Sequence, residues 1–258
     1  MNEKLTVLAI GATGSIGRHV VEESLERGYQ TRALVRSSAR AASLPSEAQT
    51  MVGDVTKPET LKAAVDGVGA IVFTQGTHGD PEDAQAVDYG AVRNVLDALG
   101  GRKVRVALMT SIGVTNRGRY APHDWKRRGE RLVRASGLPY TIVRPGWFDY
   151  NEPDQLKLVM LQGDRRQTGT PTDGVVSRRQ IAQVLVASLS SDAADHKTLE
   201  LMAEQGPAQA DLEPLFASLR PDAAGAIDGI EDVDNMPIES EPEAIRSDLD
   251  HMRTRFEA

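Results

Sequence analysis

Leu5-Thr6-Val7-Leu8-Ala9-Ile10 runs without a break into Gly11-Ala12-Thr13-Gly14-Ser15-Ile16-Gly17, and this junction decides the fold. The apolar run reads as a buried strand, and the stretch Arg18 to Arg27 that follows the glycines reads as a helix. The GxxGxxG spacing between them suits a main chain that seats a dinucleotide pyrophosphate. Gly11 permits a tight turn, Gly14 lets the backbone come close to phosphate, and Gly17 lets the helix pack on the strand. Thr13, Ser15 and Ile16 complete the turn, and the helix N-terminus faces the anion.

Outward from that junction, strand and helix signals alternate. Gln30–Val35, Ala48–Val52, Ala70–Thr74, Val104–Thr110 and Tyr140–Arg144 read as further strands. His19–Glu26, Pro58–Val65, Asp83–Leu99 and Trp125–Ala135 read as helices. Glycines at 28, 67, 69, 100, 101 and 137 mark the joins. Such alternation implies right-handed crossovers, so the expected fold is α/β, a Rossmann-type parallel sheet with helices on both faces and a small C-terminal appendage. Residues 1–205 are expected to form the dinucleotide-binding domain, with 146–176 covering the substrate, and 206–258 the docked appendage. Ser177–Ser188 reads as a helix capped by Ser177, His196–Met202 as a strand and Glu243–Phe256 as a terminal helix. The acidic stretch from Glu231 to Glu243 also fits disorder.

The totals narrow the chemistry. The chain has 258 residues, a formal charge of -7 and no cysteine. Disulfides, thiolate nucleophiles and cysteine metal ligands are therefore excluded, and an acidic chain gives no reason to expect nucleic-acid binding. The five histidines are scattered, so no metal site is expected. No signal-peptide pattern and no bilayer-length apolar run occurs, so the expectation is a cytoplasmic protein without membrane contact, a monomer or weak homodimer acting on a small molecule. A Walker A ending and a GxSxG nucleophile elbow are both missing.

Cofactor choice reads from the end of the second strand. Arg36 with Ser37 and Ser38 offers a cation and hydroxyls to a 2'-phosphate where an acidic residue would suit NAD, so NADP is favoured and NAD remains possible. Arg36 also fits an ordinary loop arginine, and Arg32 or Arg40 could substitute. Asp54-Val55 after the third strand suits the adenine, with a helix cap as the competing role. Thr74-Gln75-Gly76, continuing into Thr77-His78-Gly79, would pass beneath the nicotinamide ribose. Ser111 ends the fifth strand, where such folds present groups to ligands, with a local turn or cap as the competing role. Lys126 follows on the next helix, either binding ribose hydroxyls or lying with Arg127, Arg128, Arg131 and Arg134 on a solvated face.

These elements, with Ala33-Leu34-Val35-Arg36, Gly53-Asp54-Val55, Val87-Asp88-Tyr89 and Asn94, Trp125-Lys126 and Glu130, and Ser136-Gly137-Leu138-Pro139 leading to Arg144-Pro145-Gly146, resemble the atypical short-chain dehydrogenases/reductases. The similarity is to their single-domain NAD(P)-binding, NmrA-like and flavin-reductase-like group, and it spans residues 4 to about 203. Active members use a Ser or Thr with Tyr and Lys in a YxxxK arrangement. The resemblance places Ser111 and Lys126 in two of those roles, and puts Pro122 where the tyrosine would stand. Tyr120 and His123 are then the candidate acids. It also implies that Pro145, Gly146, Trp147 and Phe148 pass over the nicotinamide, the aromatics covering a flat ring. The implied function is an NADP-dependent oxidoreductase reducing a small carbonyl, quinone or flavin-like compound. The alternative is a non-catalytic NAD(P)-binding redox sensor or assembly factor, with the acidic appendage as a partner surface.

Overall fold

The computed structural model describes residues 4–77 and 81–257. The first half alternates β1 (Thr6–Ile10), α1 (Gly17–Glu26), β2 (Gln30–Val35), α2 (Ser38–Ala41), β3 (Gln49–Val52), α3 (Lys62–Val65) and β4 (Ala70–Phe73). It continues through α4 (Pro81–Asp83), a π-helical segment Ala84–Tyr89, α5 (Gly90–Leu99), β5 (Arg105–Met109), α6 (Ala121–Ala135) and β6 (Tyr140–Pro145). The second half carries β7 (Trp147–Phe148), β8 (Lys157–Leu161), β9 (Val175–Val176), α7 (Arg178–Ala187), β10 (Lys197–Glu204), α8 (Glu213–Ser218) and α9 (Glu243–Glu257).

The sheet order is β3-β2-β1-β4-β5-β6-β10-β9-β7, with β8 paired to β10. The strands from β3 through β6 to β10 are all parallel, which places their carboxyl ends along one rim. The order reverses between β1 and β4, and in open α/β sheets ligands bind at that switch point. The expected six strands and Rossmann class therefore hold. The region after Pro145 is more ordered than expected: β8 runs antiparallel to β10, and β9 joins β10 to β7.

Each sheet face has its own core. Val7, Ala9, Val20, Val21, Val184, Leu185 and Phe216 pack under α1, α7 and α8 on one side. Leu8, Phe73, Val95, Leu96, Leu132, Ile142, Leu249 and Met252 pack under α3, α5, α6 and α9 on the other. Alternate residues of β1 serve opposite cores, the two-residue period of a strand covered on both faces. Ser177 caps α7 as expected, accepting from the Gln180 backbone N–H at 3.2 Å.

The basic stripe on α6 is a correction. Arg127, Arg131 and Arg134 are buried, not solvated, because the segment after α8 brings them carboxylates. Asp228 takes Arg131 bidentately at 2.9 and 2.6 Å and Arg127 at 3.1 Å. Asp222 takes Arg134 at 3.1 Å, and Glu241 takes Arg128 at 2.6 and 3.1 Å. Arg144 on β6 is fully buried between Glu130, at 3.0 and 2.7 Å, and Asp232, at 2.7 Å on both oxygens. The stretch from Glu231 to Glu243 is thus packed rather than disordered, with Asp232 and Glu241 turned inward onto arginines while Glu231, Asp234, Glu239 and Glu243 stay exposed. Buried charges need such complete pairing, since each carries a desolvation penalty of several kcal/mol.

Candidate functional site

The turn between β1 and α1 is held from below and open above. Ala12 and Ile16 are buried, Thr13 is half-buried, and Gly14 and Ser15 are exposed. Gly11 has φ +77° and sits so close to the end of β4 that a Cβ there would lie 2.8 Å from the Gln75 nitrogen. A Cβ on Gly17 would lie 2.0 Å from the Gly11 carbonyl oxygen, so only glycine allows the helix to start here. The Gly14 N–H donates to Gly11 O at 2.8 Å, and Thr74 Oγ1 donates to Ile10 O at 2.9 Å. Gln75 is buried, and its Oε1 has no partner among the described residues. Open main chain at a helix N-terminus beside an orphaned buried acceptor fits a dinucleotide.

At the far end of this groove Arg36 is exposed, with no carboxylate partner among the described residues. Ser37 is the residue before α2, and its side chain makes no capping bond, which leaves its hydroxyl available. Arg32 does not substitute, because its guanidinium is spent on Gln49 Oε1 at 2.9 Å and on the carbonyls of Ala64 and Asp66. Asp54 Oδ1 accepts from the Thr56 N–H at 3.0 Å and Thr56 Oγ1 at 2.8 Å, closing a local turn. That backbone bond first, with Lys57 and Arg36 nearby, holds its carboxyl below the ordinary range. Val55 is fixed through its carbonyl by Asn94 Nδ2 at 2.8 Å.

Three of the four catalytic candidates, Ser111, Tyr120 and His123, line a cleft of about 590 Å³ at the strand carboxyl ends together with Gly113, Pro145, Gly146, Trp147 and Phe148 among others, and Lys126 does not. Ser111 Oγ is buried and has no hydrogen-bond partner among the described residues, a cost of about 1–3 kcal/mol that a ligand would relieve. α6 starts at Ala121, ahead of the expected Trp125, because a proline is tolerated in the first helical turn. Pro122 is buried there and offers no proton. Tyr120 is the residue preceding the helix and is 43% exposed. His123 Nδ1 lies 3.1 Å from the Gly113 carbonyl, which can only accept, so the proton sits on Nδ1 and Nε2 is an acceptor. Burial, then the Lys126 charge, pushes the His123 pKa down, keeping the ring neutral at pH 7.

Lys126 turns away from the other α6 cations. Its Nζ lies 2.5 Å from Asp88 Oδ1 beside Gly76, while Thr77 Oγ1 donates to Asp88 Oδ2 at 2.8 Å. Asp88 belongs to the π-helical segment, whose extra width brings its backbone against Gly129, where a Cβ would meet Asp88 O at 3.0 Å. The widened turn therefore sets the lysine between the Thr74–Gly76 strand end and the cleft. His78 and Gly79 lie outside the described residues. Gly146 is required by a close approach to β9, since a Cβ would fall 2.4 Å from Gly174 O. Trp147 stays 36% exposed, stacked edge-on against Tyr150, and Phe148 lies under the Arg178 guanidinium.

Several residues in or behind the cleft wall carried no clear sequence signal. Asp164 is buried at φ 47° and accepts from Gly113 N at 2.7 Å, Thr115 N at 2.9 Å and Thr115 Oγ1 at 2.9 Å. Asn235 Nδ2 donates to Thr115 O at 2.9 Å from the opposite side. The loop after Ser111 is thus clamped between the covering segment and the appendage. Arg119, Arg166, Gln167 and Asp173 line the cleft itself.

Comparison with known proteins agrees with this geometry. A family described as NAD(P)H-binding matches residues 11–192. Sanguinarine reductase of Eschscholzia californica is 26% identical over 84% of this chain and 97% of that protein. The photosystem II assembly factor Ycf39 of Cyanophora paradoxa is 34% identical over 54% of this chain, and the match spans 44% of that protein. A wide-type short-chain dehydrogenase/reductase from Veillonella parvula, solved with NADP, superposes with TM-score 0.57 at 17% identity, covering 81% of this chain and 98% of that one. Among the described residues no helix is long and apolar enough to cross a membrane. The chain belongs to the NAD(P)H-binding family and carries its dinucleotide site on a Rossmann-type fold.

Proposed function

We propose that the protein is an NADPH-dependent oxidoreductase that reduces a planar carbonyl, quinone or flavin-like acceptor in the cleft beside Ser111. The observation that carries this reading is the Ser111 hydroxyl, buried without a partner where the carboxyl end of β5 meets an aromatic-walled cleft. NADPH bound along the glycine turn would supply a hydride, two electrons and one proton's nucleus, to the acceptor. Gly11, Thr13, Gly14, Ser15 and Gly17 seat the pyrophosphate, and Arg36 with Ser37 selects the 2'-phosphate. Lys126, oriented by Asp88, reaches ribose hydroxyls near Gly76. Ser111 Oγ donates to the acceptor oxygen as negative charge develops on it.

The remaining proton comes from solvent. Neutral His123 presents a lone pair rather than a proton, Pro122 has none, and Tyr120 sits at the open mouth. Quinones and flavins tolerate this, because reduction to the hydroquinone level takes one hydride and one proton from water. Stopped-flow oxidation of bound NADPH against a carbonyl, quinone and flavin panel tests the reading. Oxidation above the buffer rate by a quinone or flavin supports it, and none with any acceptor refutes it.

A second reading keeps one specific support: Pro122 removes the phenol on which carbonyl reduction and epimerisation normally depend. On it the protein binds NAD(P) as a redox-sensing regulator or assembly factor. At least about tenfold discrimination between NADP+ and NADPH, about 1.4 kcal/mol, without turnover would favour it.

A further inference from the structure

We propose that the acceptor bound in the cleft carries an anionic substituent, a carboxylate or phosphate, held by Arg119 and Arg166. This rests on the reading of the cleft as an acceptor site and adds what the acceptor must look like.

The inference starts from how arginines are partnered around the cleft. Arg117 reaches Glu241 at 3.4 Å, Arg165 reaches Glu231 at 3.2 Å, and Arg178 pairs with Asp149. The two that line the cleft have no carboxylate among the described residues. Arg119 Nη1 and Nη2 donate to the carbonyls of Gln167 and Thr168 at 2.8 and 3.2 Å, which fixes the guanidinium's position without neutralising it. Arg166 meets only Met202 Sδ, at 3.2 Å, a weak acceptor.

One carboxylate does line the cleft, and it is committed elsewhere. Asp173 accepts from Thr168 N at 2.9 Å, Thr168 Oγ1 at 2.8 Å, Gly169 N at 2.8 Å and Thr170 N at 3.3 Å. Burial raises its pKa, yet these four donors outweigh it and hold the carboxyl below the ordinary range. Its lone pairs shape the loop and are not offered to either arginine. Two guanidiniums against one committed carboxylate leave the cleft lining with an excess of positive charge in a chain whose net charge is -7. Guanidinium forks match carboxylate and phosphate geometry, and beside the Trp147 and Phe148 rings they define a flat body with a charged edge.

The test compares two pairs of acceptors that differ in charge: riboflavin against its 5'-phosphate, and 1,2-naphthoquinone against 1,2-naphthoquinone-4-sulfonate. Affinity for the NADP+-loaded full chain is read by quenching of tryptophan fluorescence, a measure independent of turnover. The charged member of each pair is expected to bind at least about tenfold more tightly, with the preference shrinking as salt is raised. In Arg119→Gln/Arg166→Gln the ratio should fall to within about twofold, and in Arg165→Gln it should stay as in the parent. Arg166→Gln alone, which removes no backbone contact, should cut the ratio at least about threefold and guards against a misfolded double variant. Equal affinity within both pairs, or a preference that survives the double variant, overturns the proposal. Preferential binding without NADPH oxidation would leave it standing while refuting the oxidoreductase reading. A preference confined to the flavin pair identifies phosphate as the recognised group, and one confined to the quinone pair a planar acceptor with its anion directly on the ring.

Discussion

Replacing Gly17 with alanine should weaken dinucleotide binding at least about 100-fold while the protein stays folded. The added Cβ would sit 2.0 Å from Gly11 O and 2.7 Å from Gly11 C, where ordinary contact begins at 3.4 Å. Both neighbours are backbone, so no side chain can swing aside. The turn must retreat from the helix by roughly 1 Å, the scale on which misplaced groups lose their interactions. Overpacking of this kind costs about 1–3 kcal/mol of stability, a fall in Tm of roughly 2–12 °C for a chain of this size. The effect on binding is larger. Losing two amide bonds to a charged phosphate, each about 1.5–3 kcal/mol, weakens binding at least about 100-fold.

Gly28→Ala supplies the control, since Gly28 also has positive φ, +80°, but an added Cβ there meets nothing within 4 Å. That variant should lose about 1–2 kcal/mol of stability through backbone strain. Its NADP+ affinity should stay within about twofold of the parent, since no amide bond to phosphate is lost. Calorimetric titration with NADP+, alongside thermal melts, reads both quantities. A Gly17→Ala protein that binds NADP+ like the parent, or a Gly28→Ala protein that loses binding equally, would refute the reasoning.

Three further outcomes follow from the same geometry. Arg36→Ala should weaken NADP+ by about 10- to 100-fold and NAD+ by less than about threefold, since only the former loses a charge-assisted bond; equal losses in equilibrium titrations would remove Arg36 from the cofactor site. Burial, only partly offset by Arg144, pushes Glu200 up to about 8 from an ordinary 4.5, so the folded state holds its proton longer and stability falls as pH rises between those values. Urea unfolding at pH 6 and pH 8.5 should show this loss, and Glu200→Gln should flatten it; an unchanged slope would show that another group is responsible. Asp164→Asn should lower kcat at least about tenfold with a smaller change in NADPH affinity, because the carboxylate positions the Gly113–Thr115 loop beside Ser111. Steady-state kinetics in which only KM changes would contradict that role.

Much of the fold is legible from local residues. The apolar run into Gly11, the glycine joins and the alternation of periods each encode one step of a parallel sheet, and all agree. Ser111 was legible for the same reason, since a hydroxyl ending a central strand lies on the ligand rim. The arginines of α6 were not. A helix bearing Arg127, Arg128, Arg131 and Arg134 looks solvated unless Asp222, Asp228 and Glu241, about a hundred positions away, are known to fold over it. Strands of two residues such as β7 and β9 carry too few positions for any period to show. Arg119 and Arg166 stand out only once the carboxylates of their neighbours are located.

The central claim, that main-chain amides between β1 and α1 seat NADP(H), meets its most direct test in equilibrium dialysis of the wild-type protein against NADPH and NADH. The account predicts one NADPH retained per chain, with NADH held at least about tenfold more weakly for want of the 2'-phosphate contact. No retention of either nucleotide would contradict it.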